Sequence, residues 1–163
     1  MEIFTAIILI LCLLGLSWFA GTDAPYVATS MDKIPEVLKK AGVKKGKVFY
    51  ELGSGDGRVV YAAAQMGADS FGIEQSWLRV LYSRFKARKL GLKNAHFSHG
   101  NIFQKNYSAA DVVYAFLLQA AINKLELNFA KQLKSGAIVI TQRYHFQKLK
   151  PFAQSGELNL YRF

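Results

Sequence analysis

The apolar positions follow two different patterns. From Ile3 to Ala20 the chain reads IFTAIILILCLLGLSWFA with no charged side chain. At about 1.5 Å of helical rise per residue, such a run spans roughly 27 Å, close to the hydrocarbon thickness of a bilayer. It has no polar face of the kind that a helix packed on a globular core retains. A signal peptide would place Lys or Arg ahead of the run and small residues before a cleavage point. Here Glu2 is the early charge, and the run closes on Trp18 and Phe19. The expectation is a transmembrane anchor over residues 1–22, with Trp18 and Phe19 at the interface.

Beyond it the apolar runs are short and alternate with amphipathic stretches. Residues 23–46 read as a linker containing Pro25 and Tyr26, then a helix over 31–41 with Pro35 in its first turn and Gly42 at its end. Residues 47–163 read as one domain. Strands are expected at 48–52, 70–74, 96–98, 111–116 and 137–141. Helices are expected at 57–66, 76–90 and 119–133, the second carrying Leu78, Leu81, Tyr82 and Phe85 on one stripe. Weak strands near 149–153 and 158–163 suggest a hairpin across Ser155-Gly156. The alternation predicts an α/β fold, a parallel sheet covered by helices on both faces.

Charge changes the picture in one respect. Lys and Arg number 21 against 11 Asp and Glu, a net +10, and every cation follows the apolar run, beginning at Lys33. The positive-inside tendency then expects a single-pass protein with its domain in the cytoplasm. Without an Arg- and Ser-rich transit segment, a prokaryotic inner membrane is favoured. The basic surplus suits anionic headgroups, so membrane contact is expected through residues 3–20 and the basic surface. No nucleic-acid motif accompanies the charge. The one cysteine, Cys12, lies in the apolar run, and His96, His99 and His145 lack metal-ligand spacing, so no metal site is expected.

The chemistry concentrates in FYELGSGDGRVV, residues 49–60. Glycines there let the chain turn sharply and let backbone approach a ligand. The dinucleotide fingerprint G-x-G-x-x-G fails, because Arg58 stands at its third glycine. The spacing is G-x-G-x-G, with Glu51 two positions ahead of Gly53. Glu74 ends the second strand, at a distance suited to accept hydrogen bonds from both hydroxyls of a ribose. Asn101, after the third strand and beside Ile102, offers a side-chain oxygen to an exocyclic amine.

This pattern resembles the first motif of class I S-adenosylmethionine-dependent methyltransferases, which have a Rossmann-like sheet. The resemblance implies S-adenosylmethionine as cofactor, held by Glu51, Gly53, Ser54, Gly55, Asp56, Gly57, Glu74, Asn101 and Ile102. Base-amine methyltransferases carry Asn/Asp-Pro-Pro-aromatic after the fourth strand. This chain has Tyr114-Ala115-Phe116-Leu117-Leu118-Gln119 there, which disfavours that class. Pro25-Tyr26-Val27-Ala28-Thr29, ELGSGDGR, FGIE, VVYAFLL and GAIVIT together resemble the small protein-lysine methyltransferases. That group includes enzymes for ATP synthase c-subunit and adenine nucleotide translocase, and archaeal enzymes of broad specificity. It departs from this chain at Ala28, where the family has proline, and over 142–146. The resemblance implies a protein substrate bearing a lysine. Tyr26, Phe116 and Tyr144 are the expected substrate entrance, with no general base assigned. The alternatives are a quinone or lipid methyltransferase and a non-catalytic binding module.

Overall fold

The computed structural model describes residues 2–19 and 27–163, with side chains from 2–16 and 27–163. Helix α1 covers Glu2–Phe19 and touches the rest of the chain at α4 (Trp77–Lys89). No helix among the described residues is long and apolar enough to cross a membrane. This corrects the expected anchor, the membrane contact through residues 3–20 and the single-pass placement. The physical reason is length: α1 runs over the 18 residues Glu2–Phe19. At about 1.5 Å per residue that is about 27 Å, short of a hydrocarbon core of about 30 Å.

The domain is built on a seven-stranded sheet. Its strands are β1 (Val48–Leu52), β2 (Asp69–Glu74), β3 (Ala95–His99), β4 (Val112–Ala115), β5 (Ile138–Gln142), β6 (Ala153–Ser155) and β7 (Leu158–Arg162). The spatial order is β3-β2-β1-β4-β5-β7-β6. The first five strands pair in parallel; β7 lies antiparallel against β5, with β6 outside it. The sheet is therefore mixed, and the expected hairpin across Ser155-Gly156 forms with its first strand at 153–155 rather than 149–153.

Strand residues alternate between two cores, as the pleat requires. Phe49, Val112, Tyr114, Ile140 and Leu160 face one side, where α2 (Ile34–Lys40) and α3 (Arg58–Gln65) bury Leu38, Val59 and Ala63. Leu52, Val113, Val139 and Tyr161 face the other, against Ile122, Leu125 and Phe129 of α5 (Gln119–Gln132). Helix α4 packs beside α3 through Val80 and Ala87.

Helix α4 is turned differently from what its apolar stripe suggests. Arg79, Val80, Ser83 and Ala87 point inward. Trp77, Leu81, Tyr82 and Phe85 are exposed, Phe85 at 69%. Polar contacts set this rotation: Arg79 reaches Glu74, Ser83 Oγ donates to the Gly55 carbonyl at 3.3 Å, and Tyr61 Oη donates to the Ser83 carbonyl at 3.1 Å. Each contact satisfies a group that would be costly to bury alone.

Candidate active site

A pocket of about 440 Å³ opens at the carboxyl ends of β1, β2 and β4. This is where the strand order reverses, between β1 and β4, and where ligands sit in open α/β sheets. The volume suits a cofactor-sized molecule.

The glycine loop forms its floor. Gly53 and Ser54 both donate their N–H groups to the Ile73 carbonyl, at 2.9 and 3.0 Å, which hangs the loop from β2. Gly57 N donates back to Ser54 O at 2.8 Å and α3 follows at once. The turn needs its third glycine on two counts. Gly57 has φ +80°, and a Cβ there would lie 2.7 Å from the Phe97 ring. An L side chain tolerates neither the angle nor the contact.

Three carboxylates surround this loop, and two are matched by arginines. Asp56 is held by Arg58, whose Nη2 and Nε lie 2.6 and 2.9 Å from its oxygens. Burial works to raise Asp56, but the guanidinium outweighs it and keeps the carboxyl below its usual range. Glu74 Oε2 accepts the Gly55 N–H at 2.9 Å; Oε1 accepts from Ser76 N at 2.9 Å and Arg79 Nη1 at 3.4 Å. Glu51 forms no ion pair among the described residues and accepts the Val60 N–H at 3.1 Å. Burial holds it well above the usual carboxylate range. Asp56 and Glu74 push it the same way, against the Val60 hydrogen bond and Arg58.

Of the residues singled out in the sequence, Glu51, Gly53, Ser54, Gly55, Asp56, Glu74, Ile102 and Phe116 all line the pocket. Gly57 supports it from behind. Asn101 stands just outside the wall, and its Oδ1 accepts the Phe103 N–H at 2.9 Å, capping a 3-10 turn at Ile102–Gln104. Tyr144 also lies outside the wall, packed on the α5 side near Phe146. Tyr26 lies outside the described residues.

Sequence reading missed Val27, Ala28 and Thr29 as wall residues, together with Arg58, Arg79, Phe103 and Lys124. Arg58 Nη1 donates to the Thr29 carbonyl at 3.0 Å and so closes the pre-domain segment over the glycine loop. Lys124 sits 4.3 Å above the Phe103 ring at the far end. Only the Pro25–Thr29 motif signalled any of these, and it did so as a family mark rather than as a wall.

The pocket fits an S-adenosyl amino acid on its own chemistry. The glycine loop brings Gly53, Ser54 and Gly55 to the wall beside Glu51, Asp56 and Glu74. The acids of the loop suit an ammonium and would repel a pyrophosphate. No group of His, Cys, Asp and Glu among the described residues could hold a metal ion.

Comparison with known proteins agrees with this geometry. Residues 51–153 match the family model described as ANTKMT methyltransferase domain. The chain is 31% identical to the ATP synthase c-subunit lysine N-methyltransferase of Homo sapiens, over 82% of this chain and 57% of that protein. It is 30% identical to a protein-lysine N-methyltransferase of Saccharolobus islandicus, over 78% of this chain and 81% of that protein. Among solved structures, an RNA methyltransferase from Salinibacter ruber in complex with S-adenosyl-L-homocysteine is 31% identical with TM-score 0.76. That match covers 84% of this chain and 92% of the other. The matched region spans a little over half the length of the human relative.

Proposed function

We infer the function from one premise: the chain belongs to the ANTKMT methyltransferase domain family. It is an S-adenosylmethionine-dependent methyltransferase that acts on lysine side chains of a protein substrate. The observation carrying this reading is the glycine loop tied to the strand-end acid, Gly55 N–H on Glu74, within one pocket. The names of the human and archaeal relatives support lysine as the acceptor.

When bound, the cofactor supplies a methyl group on a sulfonium that is open to in-line attack. The backbone of Gly53, Ser54 and Gly55 would receive its amino-acid end, with Glu51 and Asp56 as the acids for the ammonium. Glu74 would accept from the ribose hydroxyls. Ile102 would pack on the adenine, and Asn101, beside the wall, would have a second lone pair on its oxygen for the exocyclic amine. The chain's remaining task is to position a nucleophile and strip it of water. A lysine amine, with a reference pKa of about 10.4, must first lose its proton. An apolar mouth favours the neutral amine by desolvation. Val27, Ala28, Phe116 and Leu117 line that mouth, and Tyr26 precedes it directly in sequence.

One observation favours a second reading. The Salinibacter relative is described as an RNA methyltransferase, and a net charge of +10 suits a phosphate backbone. The segment from the end of β4 onward, Tyr114 to Gln119, lacks the Asn/Asp-Pro-Pro-aromatic pattern of base-amine enzymes and argues against it.

The test is methyl transfer from labelled S-adenosylmethionine into a cell extract, separated into protein, RNA and small-molecule fractions. Label on a protein lysine, located by mass spectrometry, is the expected result. Label confined to RNA or to small molecules would retain the transferase and replace its substrate. Cofactor binding without transfer to any fraction would leave a binding module.

A further inference from the structure

The Glu74 carboxylate has more donors within the chain than a ribose-binding acid can keep. Oε1 takes two, the Ser76 N–H at 2.9 Å and Arg79 Nη1 at 3.4 Å; Oε2 takes one, the Gly55 N–H at 2.9 Å. A carboxylate oxygen offers two lone-pair sites, so Oε1 is full and Oε2 half full. A vicinal diol facing the carboxylate needs one site on each oxygen. Gly55 and Ser76 donate from backbone fixed by the loop and by the start of α4. The Arg79 contact is the longest of the three and comes from a side chain.

Arg79 is also placed at a cost to packing. Its side chain is 6% exposed and its partner carboxylate 8%. Bringing it inward leaves Trp77, Leu81 and Phe85 of the same helix on the outside, all more than half exposed. A helix that buries a guanidinium and exposes three large apolar side chains has its rotation fixed by the polar contact.

We propose that Arg79 is a positioning residue for cofactor recognition. It holds the plane of the Glu74 carboxylate and yields the Oε1 site to one ribose hydroxyl when the nucleoside enters. Its charge stays beside the acid throughout. The proposal rests on the assignment of Glu74 to the ribose.

The test measures affinity by calorimetry for S-adenosylhomocysteine and for its 2′-deoxy and 3′-deoxy analogues. In the unaltered protein, loss of either hydroxyl weakens binding by about tenfold or more, as befits a hydrogen bond to a charged acceptor. In Arg79→Met the analogues bind within about threefold of the parent, because the carboxylate no longer holds both acceptor directions. In Arg79→Lys, which keeps the charge and loses the planar fork, the discrimination falls by about threefold. A merely structural role would weaken all three ligands equally and leave their ratio intact.

Glu74→Gln separates the two ideas. If it abolishes discrimination while Arg79→Met retains it, the Arg79 proposal is overturned and the ribose assignment stands. If Glu74→Gln also retains discrimination, the ribose assignment itself falls. Should Arg79→Met fail to fold, having left a buried acid alone, the Lys variant decides: undiminished discrimination there overturns the proposal.

Discussion

The Arg58 guanidinium joins the Asp56 carboxylate to the Thr29 carbonyl, across 29 positions of sequence. One side chain thereby fixes the glycine loop and clamps the segment ahead of the domain against it. Because Arg58 is about a third exposed, its ion pair adds little to stability. Its value lies in geometry. Arg58→Ala is expected to lower kcat/KM for methyl transfer by about tenfold or more through misplaced pocket walls. The thermal midpoint should move only slightly. Steady-state kinetics beside a melting curve checks both.

Glu51 links the pocket to pH. Its carboxyl is raised by burial, so the folded state holds the proton more tightly than the unfolded chain. Stability from this group is present below the unfolded value, and it is lost as pH rises through the folded one. Urea midpoints should therefore decline with rising pH, and Glu51→Gln should flatten that decline. An ammonium-bearing ligand favours the ionised form, so binding at a pH below the raised folded-state value should release a proton. Calorimetry in buffers of different ionisation enthalpy measures it, and Glu51→Gln should abolish the release.

Gly57 and Gly91 both have positive φ, but only Gly57 is crowded. Gly57→Ala drives a methyl into the Phe97 and Tyr61 rings and should cost about 3 kcal/mol or more. Gly91→Ala meets open space and should cost about 1 kcal/mol. Paired denaturation curves compare the two. Equal costs would mean that the loop relaxes around the new methyl.

Glu126 is buried on α5, and its carboxylate accepts three backbone N–H groups, from Gln147, Lys148 and Leu149, at 2.8 to 3.1 Å. Glu126→Ala strands those donors and should cost roughly 3 kcal/mol. Hydrogen exchange at 147–149 should accelerate out of proportion to the rest of the chain.

The outward stripe of α4 gives the opposite expectation. Leu81→Gln and Phe85→Gln remove exposed apolar surface and should shift stability by no more than about 0.5 kcal/mol. A large loss at Phe85 would mean that the helix is rotated toward the reading its periodicity suggests.

That contrast marks what can be read before folding. The order of strands and helices follows from short apolar runs punctuated by glycine. The floor of the pocket follows from Glu51, the three loop glycines and Glu74, because backbone turns and strand ends fix such residues at set spacings. Periodicity misassigns α4, since it counts apolar residues and cannot see that Arg79 and Ser83 have buried partners. Arg58 and Glu126 are illegible for a related reason. An arginine or glutamate looks like surface until the fold supplies a partner from 21 to 29 positions away. The apolar run at the start reads as an anchor on its composition over residues 3–20, whereas its helix, Glu2–Phe19, falls short of the hydrocarbon thickness.

The placing of β7 between β5 and β6 has a consequence during folding. Strand β5 is complete at Gln142, yet the partner for its open edge is Leu158–Arg162. Until that segment docks, β5 presents an unpaired row of amides beside apolar side chains. A chaperone that shields that edge would raise the yield of folded protein without touching the pocket.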